Sequence, residues 1–288
     1  MRSTRSIAAS LCALTALLLT SSVSGAGASP QSAPGGGPDT AAPRHVLPLL
    51  QDKVPEAYRE HVPLPFGVSF TYFRMDERLT LRDPSLVFNG QPIPAQLLQA
   101  DSVATLTNSY SARFDAWLLP FLNVYGTATR ISGEATDIRA QVIGFPPVIP
   151  ERVGYSGTGY GVGFTAAFGY RALFASYDWN WNWQTAGVLS NTTVANVQGP
   201  RVGVQLTPWG RQGNVYVGAM RQRLRGRQSG AIDLAGAGSL AFDLKAQPEH
   251  IWNPAAGAEI GITRHIRVNL EGGFGGRTYL LLGGGYRF

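Results

Sequence analysis

From Phe66 to Phe288 the chain runs in short stretches where apolar and polar residues alternate. Phe66, Val68, Phe70 and Tyr72 share one parity, against Gly67, Ser69 and Thr71 on the other. A strand projects alternate side chains to opposite faces, so each such stretch predicts a strand with one apolar and one polar side. Further stretches fall at Tyr110–Leu118, Leu122–Ala128, Val162–Phe168, Leu173–Gln184 and Val202–Leu206. The remaining four are Val215–Ala219, Ala256–Ile262, Ile266–Phe274 and Arg277–Phe288. Ten strands are therefore predicted, several with the ~10 residues that a tilted strand needs to cross a bilayer.

The links between them alternate in length. Those after strands 1, 3, 5 and 7 are long, at roughly 75–108, 133–155, 185–198 and 225–252. Those after strands 2, 4, 6 and 8 are short, near Pro120, Gly169, Trp209 and Arg264. Membrane barrels have short turns on one rim and longer loops on the other. The last link, at Gly275-Gly276, belongs to the long set by this alternation yet is short. The expected fold is all-β: a membrane-spanning antiparallel up-and-down β-barrel of about ten strands, with eight and twelve as alternatives.

The final stretch, R-T-Y-L-L-L-G-G-G-Y-R-F, puts Tyr286 and Phe288 on one parity with Leu280 and Leu282. It resembles the closing strand of Gram-negative outer-membrane β-barrels, where a last Phe and an aromatic two residues earlier mark the chain for insertion. The resemblance implies that Tyr286 and Phe288 are an assembly signal for the barrel-assembly machinery. It places the short links in the periplasm and the long ones outside. It carries no specific functional family.

The start of the chain fits that compartment. Residues 1–28 read as a signal peptide: Arg2 and Arg5, an apolar run from Ile7 to Leu19, and an Ala26-Gly27-Ala28 cleavage site. The run is shorter than the ~20 residues of a transmembrane helix. Cys12 lies inside it, so the remainder has no cysteine for a disulfide or a thiol nucleophile. Residues 29–43 are a Pro/Gly/Ser-rich flexible linker. Residues 44–65 form a periplasmic extension in which Leu49, Leu50, Val54 and Tyr58 suggest a short amphipathic helix, broken by Pro55. It either plugs the barrel or stays loosely held outside it. The barrel itself occupies residues 66–288.

Composition adds little but agrees. Charged residues make up 15%, mean hydropathy is −0.03, and glycines number 35. An apolar outside averaged with a polar inside has this signature. Removing Arg2 and Arg5 lowers the formal charge from +6 to +4, too modest to argue for nucleic acid. No P-loop, dinucleotide fingerprint or paired Cys/His spacing is present, so neither cofactor nor metal is expected.

The inward parity collects Arg113, Asp115, Asp178, Arg201, Glu259, Arg267, Glu271 and Arg287, with Arg277 on the last strand. Charges inside a narrow barrel must be paired or solvated. They either form a network that fills the lumen or line a small pore; Arg267 is expected to reach both Glu259 and Glu271. Trp179, Trp181 and Trp183 share the opposite parity and fit an aromatic girdle at the lipid interface. Arg221, Arg223, Arg225 and Arg227 alternate on one side and fit contact with the phosphates of lipopolysaccharide.

The resemblance also admits an enzyme, since outer-membrane barrels that are hydrolases use a His with Ser, Asp or Glu near the outer leaflet. His45 and His61 precede the first strand, and His265 sits in a short turn. Only His250 remains, beside Glu249 and in a loop with Asp243 and Ser239. The leading expectation is a monomeric, non-enzymatic outer-membrane barrel, either a small channel or a structural, surface-interacting protein in contact with outer-membrane lipid. The alternative is an outer-membrane hydrolase centred on His250.

Overall fold

The structure is a computed structural model that describes residues 47–50, 53, 63–137, 140–142, 152–186, 191–234 and 238–288. The expected signal peptide and linker lie outside the described residues. Among the described residues fifteen strands follow in chain order. They are β1 (Phe66–Phe88), β2 (Gln91–Pro92), β3 (Leu98–Ala100), β4 (Ser102–Leu119) and β5 (Leu122–Thr136). Next come β6 (Ala140–Val142), β7 (Arg152–Tyr170), β8 (Leu173–Ala186), β9 (Thr193–Leu206) and β10 (Gly213–Arg225). The last are β11 (Gln228–Leu234), β12 (Gly238–Pro248), β13 (Trp252–Gly261), β14 (Ile266–Gly273) and β15 (Arg277–Arg287).

Ten of these close a barrel. β1, β4, β5, β7, β8, β9, β10, β13, β14 and β15 each pair antiparallel with the next, and β15 returns to β1 from Gly67↔Arg287 to Glu77↔Arg277. These ten are the ten stretches of alternation in the sequence. Closure leaves the barrel without edge strands, which is what a strand structure in lipid requires. Tight turns join the strands on one rim. At one of them Thr263 Oγ1 accepts hydrogen bonds from the backbone N–H of His265 and Ile266, which sets Glu259 opposite Asn269.

The outward parity makes an apolar band. On β14 it holds Ile266, Val268, Leu270 and, just beyond the strand, Phe274, all exposed. Eight residue steps at ~3.3 Å and a ~40° tilt give about 20 Å of height, enough for most of a membrane's apolar layer. Above the band the outward face turns polar: Arg74 and Asp76 follow Tyr72 on β1, and Arg130 follows Ala128 on β5. The inward face changes in the opposite sense. Its lower part is mostly polar around the buried Trp117 and Phe174, whereas in the upper part Phe73, Met75, Leu79, Ile131, Met220 and Leu281 pack inside beside the buried Glu77, Gln222 and Arg277. Where water replaces lipid outside, the apolar side chains move to the inside, as in any soluble β structure.

That inversion hides strand length in the sequence. The expected loop over 75–108 is largely strand, because β1 continues to Phe88 and β4 begins at Ser102. The expected loop over 225–252 holds a hairpin, β11–β12. It accounts for the short β14–β15 link. β1 pairs with β15 up to Glu77↔Arg277, and β12 takes over from Leu79↔Pro248. The hairpin thus extends the wall above the low rim at Gly275-Gly276.

Of the 44–65 extension only residues 47–50, 53 and 63–65 are described. The helix expected there is not formed at Leu47–Leu50, which makes a turn, with Leu50 at φ 66°. A left-handed residue ends a right-handed helix. The backbone N–H of Leu49 donates to Leu118 O at 2.8 Å, so this segment touches the short-turn rim.

Candidate functional site: a filled lumen and an arginine–tryptophan wall

All eight lumen charges expected from the parity point inward. They sort into clusters held by particular strands. In the first, Asp115 on β4 accepts from Arg287 Nη2 at 2.7 Å and from Asn123 Nδ2 at 2.6 Å. Arg113 donates to Asn123 Oδ1 at 2.7 Å, and its guanidinium lies 3.6 Å from the centre of the Tyr125 ring. Asp115, Gly67 and Arg287 are opposite one another on neighbouring strands. A side chain at Gly67 would fall on the Asp115 carboxylate, so glycine there lets the pair meet across β1.

Asp178 is held differently. Neutral groups donate to it: Tyr125 O–H at 2.8 Å, Thr165 Oγ1 at 2.7 Å and Asn180 Nδ2 at 3.2 Å. The third cluster is centred on Glu271. Its Oε2 accepts from Arg201 Nε at 2.8 Å and Tyr216 O–H at 3.0 Å, and its Oε1 accepts from Tyr279 O–H at 2.7 Å. This corrects the expected pairing: Arg267 bonds Glu259 alone at 2.6 Å, because Glu271 is engaged from across the barrel by Arg201. Higher up, Arg277 contacts Glu77 at 3.5 Å and donates to Gln222 Oε1 at 2.8 Å.

Burial decides what this lumen can do. Arg113 is 2% exposed, Asp178 1%, Glu271 1% and Arg277 1%. Charges so enclosed persist because each has a partner. Sequence reading missed Asn123, Tyr125, Tyr216 and Tyr279, which make five of these bonds. Their inward parity was legible, but which carboxylate each reaches depends on how the strands stagger around the barrel. Glu77 was missed because it lies in the expected 75–108 loop.

Two residues of the hydrolase candidate, Asp243 and Ser239, are engaged elsewhere. Asp243 is paired with Arg227, and Ser239 N–H donates to Asn89 Oδ1 at 2.8 Å. Ser239 and Pro248 lie at opposite ends of β12, about 30 Å apart in an extended strand, and His250 follows Pro248. His265 stacks on Tyr286 with centroids 5.5 Å apart, and His45 and His61 lie outside the described residues. Among the described residues no group of three potential metal ligands occurs.

On the outside, Arg221, Arg223 and Arg225 project from β10, while Met220, Gln222 and Leu224 are buried inside. Arg227 does not join them; it turns to Asp243 and to Asp83 O on the hairpin wall. Beside it, Lys245 bonds Asp83 at 2.9 Å and holds that carboxyl below the usual carboxylate range. Trp179, Trp181 and Trp183 face outward from β8, with Asp178, Asn180, Asn182 and Gln184 buried behind them.

A closed ten-stranded antiparallel barrel with an apolar outer band and a polar inside is the fold of outer-membrane β-barrel proteins. No protein-family model matches the sequence, and no characterised protein matches it by sequence. Solved structures that resemble it are barrels of that class. The transport unit of the autotransporter AIDA-I from Escherichia coli is 14% identical, with a TM-score of 0.35 over 78% of this chain and 90% of that one. The outer membrane protein OprG from Pseudomonas aeruginosa is 11% identical, with a TM-score of 0.38 over 79% and 97%. The translocator domain of autotransporter NalP from Neisseria meningitidis is 12% identical, with a TM-score of 0.34 over 79% and 90%.

Proposed function

We propose that this chain is a non-enzymatic outer-membrane protein of a Gram-negative bacterium whose barrel is closed, and which acts through its outer surface and extracellular wall. The observation that carries this reading is the double filling of the lumen. Buried ion pairs around Asp115 and Glu271 occupy its lower part, and Phe73, Met75, Leu79 and Met220 fill the upper part together with the buried Arg277, Glu77 and Gln222. A conducting pore would leave its lining charges wet, whereas these are enclosed. The signal-like start, the Tyr286/Phe288 ending and the apolar band support the outer membrane as the location. The separation of Ser239 from His250 supports the absence of hydrolysis.

The test is osmotic swelling of liposomes carrying the purified barrel. Small neutral sugars should not enter faster than through barrel-free liposomes. Entry at rates graded by sugar size would refute closure. Turnover of phospholipid or lipopolysaccharide that disappears in His250→Ala would refute the non-enzymatic reading.

A further inference from the structure

The tryptophans and arginines lie on one surface. Strand register sets Trp179 opposite Gln198, Gln198 opposite Arg221, and Arg221 opposite Trp252. The next row outward from the membrane holds Trp181, Asn196 and Arg223, and the one after it Trp183, Val194 and Arg225. A face of indoles on β8 and a face of guanidiniums on β10 therefore flank β9. Their separation is two strand spacings, about 10 Å.

The strip between them fixes the geometry. Arg221 Nη1 donates to Gln198 Oε1 at 3.1 Å, Gln198 Nε2 to Asn196 Oδ1 at 3.1 Å, and Asn196 Nδ2 to the backbone O of Asn180 at 3.1 Å. The Arg221 guanidinium also lies 5.8 Å from the Trp252 ring. Trp179 and Trp181 stack with centroids 5.0 Å apart, and Trp183 stacks on Tyr160 at 5.5 Å. Side chains already held in place lose little freedom when a ligand arrives. Arg223 and Arg225 are exposed, and neither has a hydrogen-bond partner among the described residues.

Position and chemistry narrow the occupant. Below the patch Pro200, Val202, Val217 and Ala219 face outward, so the lipid band ends where the arginines begin. The patch lies in the headgroup layer. Guanidiniums bind phosphate through paired N–H bonds, and indole faces cover the apolar side of a sugar ring. We propose that this wall docks the phosphorylated saccharide headgroup of lipid A, with its sugar on Trp181 and Trp183 and a phosphate on Arg223 and Arg225. The proposal rests on the outer-membrane reading and deepens it. A glycerophospholipid would engage the arginines and leave the indoles without a sugar.

The experiment is native mass spectrometry of the full barrel released from a sugar-free detergent. The probes are bisphosphorylated lipid A, its dephosphorylated form and phosphatidylglycerol, with inorganic phosphate as competitor. Lipid A should be retained at least about tenfold better than phosphatidylglycerol or the dephosphorylated form. Arg223→Gln with Arg225→Gln should abolish that tenfold advantage, because the charged hydrogen bonds to phosphate are lost. Trp181→Leu should weaken lipid A binding about three- to tenfold and leave phosphatidylglycerol unchanged. Heat-modifiable migration verifies that each variant is folded, and the milder Arg223→Lys gives an intermediate loss. Equal retention of phosphatidylglycerol, indifference to the substitutions, or complete displacement by inorganic phosphate overturns the site. Swelling measurements on the same protein report lumen closure separately, so failure of one reading leaves the other standing or falling by its own result.

Discussion

The guanidinium of Arg277 and the carboxylate of Glu77, 200 residues apart in sequence, meet at 3.5 Å inside the barrel where β1 exchanges β15 for β12. Two residues beyond Glu77 the partner strand is the hairpin wall. Arg277 also donates to the backbone O of Met220 at 3.2 Å and of Ile251 at 3.3 Å, so it ties β10 and the base of the hairpin to the seam.

Glu77→Ala should therefore be costly. It leaves Arg277 buried without its carboxylate, a change worth about 3–5 kcal/mol in comparable sites. Unfolding in urea from lipid bilayers measures it. Limited proteolysis should show the β11–β12 hairpin cut faster than in the parent. A loss below about 1 kcal/mol would mean that the junction is held by backbone pairing alone.

The Glu271 cluster gives a graded series. Glu271→Gln keeps an acceptor for Tyr216 or Tyr279 but removes the charge facing Arg201. Glu271→Ala removes both and should cost about 3–5 kcal/mol, with Glu271→Gln between it and the parent. Arg201→Ala should lose comparable stability and still not conduct, because the upper layer of Phe73, Met75 and Leu79 with the Arg277–Glu77–Gln222 cluster remains in place. Ion flux through a folded Arg201→Ala barrel would show that the lower network is the only barrier.

Facing is tested on β14. Leu270, exposed and central in the outward apolar series, should lose about 2–4 kcal/mol on substitution by Arg. Ile266→Arg, at the rim, should cost about 0–1 kcal/mol. If the rim substitution proves the more harmful in unfolding from bilayers, the apolar band is set at the wrong height.

Phe288 seals the short-turn end of the β1–β15 seam. Its N–H donates to Phe66 O at 3.0 Å, Phe66 N–H donates back at 3.1 Å, and its ring lies 6.1 Å from both Phe66 and Tyr286. Phe288→Asp should reduce the heat-modifiable barrel recovered from the outer membrane while leaving export intact. Normal recovery would remove Tyr286 and Phe288 as the assembly signal.

These tests also mark where sequence reading ends. Ten strands and their facing were legible because lipid outside and polar groups inside impose a period of two. The Arg267–Glu259 pair was legible because one short turn sets Glu259 opposite Asn269, two residues from Arg267. The upward continuation of β1 was not read: Phe73, Met75, Leu79 and Leu81 keep the alternation but lie on the polar parity of Gly67 and Thr71. The pattern breaks there only if one side is assumed to face lipid throughout. Arg201–Glu271 was out of reach for another reason, since their strands meet across the lumen and not along the sheet.

Closure is the central claim, and single-channel recording in planar bilayers tests it most directly. The unmodified barrel, verified as folded by heat-modifiable migration, should insert without steady ohmic steps at either polarity. Reproducible steps of fixed size with defined ion selectivity would contradict the filled lumen and make Asp115, Glu271 and their partners the lining of a pore.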